Sequence, residues 1–204
     1  MKRLFLTSSI GDSIASIAPQ LLPLRKLLFI TTASEGKSGD LVWLREHRTK
    51  IVASGFDVTD FTFTGNSKEE IAAALDATEI ICMEGGDALY LLEQIRKTAC
   101  VELLKTAVEN GKTYIGSSAG SIITTPNIRI TASTERIAES KLTDFSGLGL
   151  VNFHVFVHVQ REKYAVRFIE YAKNFLGMHG ERVIPLQDNQ YIQVEKDMYK
   201  IVTV

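Results

Sequence analysis

The amino-acid sequence predicts an α/β fold: a mostly parallel β-sheet with helices on both faces, and further strands near the C-terminus. Short apolar runs alternate with longer amphipathic segments as far as residue 116, an order typical of parallel strands joined by crossover helices. The last third of the chain instead contains several short strand-like runs. Because neither a linker nor a repeat interrupts the sequence, we expect residues 1–204 to form a single domain.

The parallel part of the sheet is predicted from apolar and β-branched runs that are too short to be helices. These strands are expected at residues 2–7, 27–31, 58–63, 79–83 and 113–116. Helices are expected after a cap at Asp12 or Ser13, and at residues 38–54, 67–75, 88–95 and 101–110. The sequence NSKEE at 66–70 is typical of a helix start, and Gly111 of a residue just past a helix end.

The C-terminal third is predicted from the same signals. A strand at 151–159 precedes a helix at 161–176, and further strands are expected at 182–186, 191–194 and 199–204. Residues 195–198, EKDM, are typical of a hairpin turn between the last two strands.

Composition and charge exclude several classes of protein. The net charge is −1 and no basic run occurs, so we expect no nucleic-acid partner. No apolar run is long enough to span a membrane, and the short N-terminal one is interrupted from Ser8 onward, unlike a secretory signal. Cys82 and Cys100 lack metal-ligand spacing, and we expect them to be reduced core residues of a cytoplasmic protein.

The segment TYIGSSAGS at 113–121 contains the strongest chemical signal. Gly116, Ser118 and Gly120 have the G-x-S-x-G spacing of a nucleophile elbow, directly after a predicted strand. A serine at such a strand–helix corner is lifted out of the sheet, and the following helix points its amides at the site. A polar turn leading into a helix is the alternative reading of the same residues. A second glycine turn, Gly85–Gly86, follows another predicted strand, and its amide could form an oxyanion hole with that of Ala119.

A serine nucleophile needs a histidine to accept its proton. His154 and His158 lie in one predicted strand at even spacing, which places them on the same face. We favour His158 because it is at the end of that strand. His47 lies in a polar helical stretch, where we expect it to be solvated, and His179 lies in a loop.

The carboxylate that orients this histidine is less constrained by sequence. Asp188 follows the predicted strand RVIPL and is the favoured candidate, and its rivals are Glu135, Glu139 and Asp144. With Asp188 the chain order is Ser–His–acid, whereas the rivals would give the Ser–acid–His order of α/β-hydrolases.

Taken together, these motifs resemble the peptidase E group of serine peptidases, which includes aspartyl dipeptidase and, more distantly, cyanophycinase. The resemblance extends over residues 4–194 and rests on EGGDALYLLEQIRK, YIGSSAGSII, PNIRIT and LGLVNFHVFVHV. It implies a fold like that of class I glutamine amidotransferases and an acyl-enzyme mechanism without metal or cofactor. It also implies Ser118 as nucleophile, His158 as base, Asp188 as the acid, and Gly86 with Ala119 as the oxyanion hole.

The sequence departs from this group at several positions. Asp87 and Ala88 replace the usual Asn–Thr, and Ser133 stands where the group has a carboxylate, with Glu135 close by. The C-terminal acid is an aspartate rather than the expected glutamate, and because its side chain is shorter, a long or water-bridged contact with the imidazole is the alternative to a direct one.

The resemblance implies a short peptide as substrate, with N-terminal aspartate as one choice. Arg129 is a candidate for binding a substrate carboxylate, and Asp87 and Glu135 are further candidates for contacting the substrate. The expected protein is a monomer or homodimer. A binding or regulatory protein that keeps the fold and elbow without turnover is the alternative function, and an esterase of the α/β-hydrolase type is a third.

Overall fold

Strands and helices alternate through the first part of the chain in the computed structural model, which describes residues 2–175, 182–196 and 198–204. The strands are β1 (Arg3–Thr7), β2 (Lys26–Ile30), β3 (Asp57–Phe61), β4 (Ile80–Met83), β5 (Thr113–Ser117), β6 (His154–Phe156), β7 (Val183–Pro185), β8 (Gln190–Glu195) and β9 (Met198–Thr203). The α-helices are α1 (Ile10–Leu21), α2 (Thr32–Glu35), α3 (Val42–Ala53), α4 (Lys68–Asp76), α5 (Ala88–Lys97), α6 (Val101–Glu109), α7 (Ala119–Ile122), α8 (Thr134–Glu139) and α9 (Glu162–Phe175).

The main sheet has seven strands in the order β3-β2-β4-β5-β1-β8-β9. The first five in this order are parallel to one another, β8 pairs with β1 in antiparallel orientation, and β9 pairs with β8 in antiparallel orientation. A second, two-stranded sheet pairs β6 with β7 in parallel. This arrangement confirms the predicted α/β class with a mostly parallel sheet and additional C-terminal strands.

Each face of the main sheet has its own apolar core, because successive side chains of a strand point to opposite faces. On β1, Leu4 and Leu6 pack in the core that also contains the buried residues of α5, whereas Phe5 packs in the core shared with α1. The central strands β4 and β5 are buried along their whole length. Such continuous burial explains why neither strand alternates between apolar and exposed polar residues.

Several predicted boundaries are confirmed. Ser67 accepts a hydrogen bond from the Glu70 amide, and the Glu70 carboxylate accepts one from the Ser67 amide, so the predicted helix start is a complete capping box. Gly111 follows the end of α6 with a φ of +103°. β8 and β9 form an antiparallel ladder from the pair Glu195–Met198 to the pair Gln190–Thr203, which confirms the predicted hairpin.

Two predicted helix boundaries are wrong. The predicted helix 38–54 begins only at Val42, because Gly39 lies ahead of it with a φ of +93° and interrupts helical geometry. The first helix begins at Ile10 rather than after Asp12 or Ser13. The amide of Ile10 donates to Ser117 Oγ over 3.3 Å, so the helix start is tied to the end of β5.

The predicted strand 151–159 is also too long, since only His154–Phe156 form β6. Ahead of it, the amide of Leu150 donates to the carbonyl of Thr124 over 2.8 Å and draws the backbone away from strand geometry. Beyond it, His158 has a φ of +62°, which no β-strand accommodates.

The carboxyl ends of β4, β5 and β1 are neighbours at one edge of the main sheet. Polar residues follow each of them: Glu84 after β4, Ser118 after β5 and Ser8 after β1. Ligands bind at such an edge in open parallel sheets. Among the helices of the described residues, none is both long and apolar enough to cross a membrane.

Candidate active site

Ser118 occupies a strained corner between β5 and α7. Its φ and ψ are +48° and −106°, a conformation that costs a non-glycine residue free energy and is found mainly at functional sites. A hydrogen bond of 3.0 Å from its amide to the carbonyl of Thr7 holds the corner against β1. The predicted elbow geometry is therefore present at Ser118.

The flanking glycines leave the space that this corner needs. A Cβ added to Gly120 would lie 2.0 Å from the carbonyl oxygen of Met83, so no larger residue fits there. The neighbouring serines serve the fold instead. Ser117 Oγ accepts from the Ile10 amide, and Ser121 Oγ donates to the carbonyl of Thr7 over 2.7 Å. Of the three serines, only Ser118 lines the adjacent cavity.

Ser118, His158 and Asp188 form a continuous chain of contacts. Ser118 Oγ lies 2.9 Å from His158 Nε2, and His158 Nδ1 contacts Asp188 Oδ1 directly. With Nδ1–H donating to the carboxylate, Nε2 is left as the acceptor for the serine proton. The shorter aspartate thus reaches the imidazole directly, and the alternative of a long or water-bridged contact does not apply.

His158 reaches Ser118 because of its backbone conformation rather than its strand position. It follows the end of β6 with a φ of +62°, whereas His154 lies within β6, is buried, and has Nδ1 3.0 Å from the carbonyl oxygen of Asn127. The expectation that both rings lie on one strand face is wrong, because the strand ends before His158.

Two further residues hold Asp188 in place. Ser8 Oγ donates to Asp188 Oδ1 over 2.9 Å and accepts a hydrogen bond of the same length from the His158 amide. Arg161 Nε and Nη2 donate to Asp188 Oδ2 over 2.9 and 2.6 Å. Burial raises the pKa of Asp188, but the hydrogen bonds from His158, Arg161 and Ser8 together lower it well below its usual range. Asp188 is therefore a carboxylate at neutral pH.

The rival acids have other partners. Asp144 accepts from the Ser146 amide over 2.8 Å and pairs with Arg96, and these contacts lower its pKa to about 2. Glu135 is exposed, and hydrogen bonds from its own amide and from Ser133 lower its pKa. Glu139 is also exposed. Asp188 is the acid in contact with His158 within the described residues, which gives the order Ser–His–acid.

The Gly85–Gly86 turn lies directly beside Ser118. A Cβ added to Gly85 would be 3.2 Å from Ser118 Cβ, and Gly86 has a φ of +143° with no room for a Cβ against the carbonyl of Ala33. Within the part of the chain that the structure describes, neither the Gly86 nor the Ala119 amide donates a hydrogen bond to another residue. Both amides are therefore available to a ligand.

A cavity of about 270 Å³ opens over Ser118 and His158. Four cationic residues line it, together with one carboxylate: Lys37, Arg136, Lys163, Arg167 and Asp87. Asp87 Oδ1 accepts from the amides of Leu89 and Tyr90 at the start of α5, and its Oδ2 pairs with Arg136. The positive charge of the remaining three cations suits an anionic ligand.

Some of the proposed contact residues lie elsewhere. Arg129 is exposed, stacks over the ring of Phe145 at 5.2 Å, and is not among the residues that line the cavity. Glu135 does not line it either, whereas Asp87 does. The expectation that His47 is solvated is wrong, because its side chain is only 15% exposed and contacts the buried carboxylate of Glu84. His179 lies outside the described residues.

Sequence reasoning missed Ser8, Arg161 and Arg136. Ser8 has a usable signal, because it directly follows β1 at the same sheet edge as Ser118. Arg161 and Arg136 give no such signal in a single sequence, because each is exposed and meets its carboxylate partner only in the folded protein.

This fold and this set of contacts are those of a serine hydrolase with a nucleophile elbow. The chain belongs to peptidase family S51, whose sequence model matches residues 6–202, and it is accordingly a serine-type peptidase. The family confirms the resemblance to the peptidase E group.

Individual relatives agree with this membership. An uncharacterized peptidase of Listeria innocua is 30% identical over 205 residues, covering 97% of this chain and 94% of the relative. Peptidase E of Escherichia coli O6:K15:H31 is 30% identical over 115 residues, 56% of this chain and 48% of that protein. The crystal structure of a peptidase E candidate from Listeria monocytogenes EGD-e matches with a TM-score of 0.90 and 25% identity, over 100% of this chain and 99% of that chain.

Proposed function

We propose that this protein hydrolyses short peptides through an acyl-enzyme intermediate on Ser118. The observation that carries the proposal is the chain of contacts from Ser118 Oγ through His158 to Asp188, with Oγ and Nε2 2.9 Å apart. This separation lies within the hydrogen-bond reach that a general base needs. The strained backbone of Ser118 and the cavity beside it support the same assignment.

In this mechanism His158 Nε2 accepts the proton of Ser118 as Oγ attacks the scissile carbonyl carbon. The imidazolium then donates that proton to the leaving amine. In the second half of the reaction, His158 accepts a proton from water as the water attacks the acyl-enzyme, and then donates it to Ser118 Oγ as the leaving group. Asp188 keeps the imidazole in the tautomer with a proton on Nδ1 and stabilises its positive charge. The amides of Gly86 and Ala119 donate to the oxyanion of the tetrahedral intermediate.

The preferred substrates we propose are dipeptides with an acidic N-terminal residue. Lys37, Lys163 and Arg167 line the cavity beside Ser118, and their charge favours a substrate carboxylate. The cavity of about 270 Å³ suits a ligand of dipeptide size rather than a folded protein. A cytoplasmic location is part of the proposal, and the free thiols of Cys82 and Cys100 are compatible with it.

The test is a dipeptide screen that pairs Asp-Leu with its uncharged isostere Asn-Leu, together with labelling of the protein by a fluorophosphonate. We expect hydrolysis of Asp-Leu to exceed that of Asn-Leu, and a stoichiometric label on Ser118 that is absent from Ser118→Ala. Absence of both labelling and hydrolysis would contradict the mechanism, whereas equal rates for the two dipeptides would contradict only the substrate preference.

A further inference from the structure

A buried carboxylate lies directly behind the glycine turn of the site. Glu84 follows β4, and its side chain is 0% exposed. Its Oε1 accepts a hydrogen bond of 2.6 Å from the amide of Gly85, where an added Cβ would lie 3.2 Å from Ser118 Cβ. Its Oε2 lies 3.2 Å from Nδ1 of His47, which reaches it from α3. The proposed mechanism assigns no role to the pair of Glu84 and His47.

The surroundings of this pair are shaped to hold it. A carboxylate costs free energy when it leaves water, and a hydrogen-bonded partner is needed to offset that cost. Gly11 provides the room for that partner, because a Cβ there would lie 2.4 Å from His47 Cδ2. Trp43 packs against the ring of His47 with its centroid 5.7 Å away. The imidazole is thus held in contact with Glu84.

The backbone on either side of the Gly86 amide is held by hydrogen bonds. The amide of Gly85, which precedes the Gly86 amide, donates to the Glu84 carboxylate. The amide of Asp87, which follows the Gly86 amide, donates to the carbonyl of Ala33 over 2.8 Å. The Gly86 amide lies between these two restrained peptides. These two hydrogen bonds therefore restrain the backbone on both sides of the Gly86 N–H.

We propose that Glu84, supported by His47, is a positioning residue for the oxyanion-binding amide of Gly86. The proposal rests on the proposed function, in which that amide stabilises the tetrahedral intermediate. Glu84 itself does not touch the substrate. It fixes a donor before the reaction starts, and electrostatic stabilisation of a transition state depends on such preorganisation.

The kinetic signature of this role follows from when the oxyanion exists. The negative oxygen forms only as Ser118 attacks, so a misdirected Gly86 amide weakens binding of the transition state and leaves binding of the substrate nearly unchanged. Loss of Glu84 should therefore lower kcat with little change in KM. A peptide aldehyde forms a tetrahedral adduct with a serine nucleophile, and its affinity should fall together with kcat.

The experiment compares Glu84→Ala with Glu79→Ala. Glu79 precedes β4, at the opposite end of the strand from Glu84, and its carboxylate also binds backbone amides, those of Arg25 and Lys26 over 2.8 and 3.0 Å. Both variants lose a carboxylate that anchors backbone, but only one of them is beside Ser118. We expect Glu84→Ala to lower kcat by roughly 10- to 100-fold, less than the roughly 10²–10³ expected for removing an oxyanion donor outright. Aldehyde affinity should fall by a similar factor, and Glu79→Ala should keep both values.

Two further variants keep the proposal testable if Glu84→Ala does not fold. Glu84→Gln retains an oxygen that can accept from Gly85, so it should restore most of the kcat. His47→Ala removes the imidazole that supports Glu84 but keeps the Glu84 carboxylate, and it should lower kcat and aldehyde affinity together while KM stays nearly constant.

Each outcome bears on a separate statement. If Ser118→Ala retains activity, the proposed function fails. If Ser118→Ala is inactive but folded Glu84→Ala or His47→Ala keeps the kcat and aldehyde affinity of the unmodified protein, only the positioning role is overturned. Equal losses of kcat in Glu84→Ala and Glu79→Ala would also overturn it, since they would indicate a general loss of stability.

Discussion

The chain brings a serine, a histidine and a carboxylate together twice at the same edge of the main sheet. In one set Ser118 Oγ lies 2.9 Å from Nε2 of His158, and in the other Ser9 Oγ lies 3.5 Å from Nε2 of His47. In each set the other ring nitrogen contacts a carboxylate. By composition and connectivity the two sets are alike.

The backbone at the serine separates them. Ser118 has a φ of +48° and lines the cavity, whereas Ser9 has an ordinary extended conformation with a φ of −136° and is 8% exposed. Ser118 also lies beside the Gly86 and Ala119 amides, which donate to no other residue among those that the structure describes. A serine next to a histidine and an acid is therefore insufficient to identify a nucleophile; strain that exposes the hydroxyl and nearby free donors must accompany it.

The largest expected difference between the two sets is at the serine itself. Ser118→Ala should lower turnover of Asp-Leu on the order of 10⁶-fold, as for loss of a nucleophile in a serine peptidase. Ser9→Ala should keep most of the rate, since Ser9 does not line the cavity. Ser117→Ala is the matched control within the elbow, and equal losses at Ser117 and Ser118 would rule out the assignment.

The histidine is expected to matter almost as much. His158→Ala should also lower turnover on the order of 10⁶-fold, because nucleophile and base act as a unit. His154→Ala tests the neighbouring histidine, which is buried near the carbonyl of Asn127. This variant should have a lower melting temperature but keep most of the turnover rate. An inactive His154→Ala beside an active His158→Ala would reverse the roles.

Replacement of the acid should have the next largest effect. Asp188→Asn should lower kcat by about 10⁴-fold, because an amide favours the wrong imidazole tautomer and cannot stabilise the imidazolium. Steady-state kinetics with the melting temperature as a folding control would measure it. A kcat close to that of the unmodified protein would show that another group orients His158.

A smaller loss is expected at Ser8, which the sequence did not single out. Ser8→Ala removes a hydrogen bond to Asp188 and another to the His158 amide, and we expect about a tenfold loss in kcat because hydrogen bonds to charged groups contribute about 1.5–3 kcal/mol. Ser16→Ala, which removes a serine contact with Tyr191 instead, is the matched control. If both variants have the same kcat, Ser8 does not position the acid.

The smallest expected effect is on the pH dependence of stability. The pKa of Asp188 is below its usual value in the folded protein, so its contacts stabilise the fold above the unfolded-state pKa of about 3.9 and this contribution is lost as pH falls below that value. The free energy of unfolding of the unmodified protein minus that of Asp188→Asn should therefore be constant at neutral pH and decrease below about pH 4. Urea unfolding at pH 7 and at pH 3 measures it, and a difference that grows on acidification would contradict the pKa direction.

The sequence predicts the local parts of this site well. The elbow at Ser118 depends on glycines two residues away on each side, and the turn at Gly86 on residues that adjoin it, so short motifs contain the required information. His158 and Asp188 were favoured because they follow strands and because of the family resemblance.

The parts that the sequence did not predict depend on contacts between distant residues. Ser8 and Asp188 are separated by 180 positions, and His47 and Glu84 by 37. A histidine in a polar helical stretch gives no sign of a buried partner, so solvation was the natural expectation for His47. The left-handed backbone conformation of His158 likewise belongs to a turn that no local sequence pattern predicts.

The strand order of the sheet has a consequence for the chain as it emerges from the ribosome. The elbow and its neighbours β1, β4 and β5 are complete by residue 122, whereas Asp188 directly precedes β8, which pairs with β1. At typical synthesis rates of about 5–20 residues per second, Ser118 exists for several seconds before His158 and Asp188 have been made. The serine of the nascent chain therefore lacks these two contacts until only β8 and β9 remain to be made.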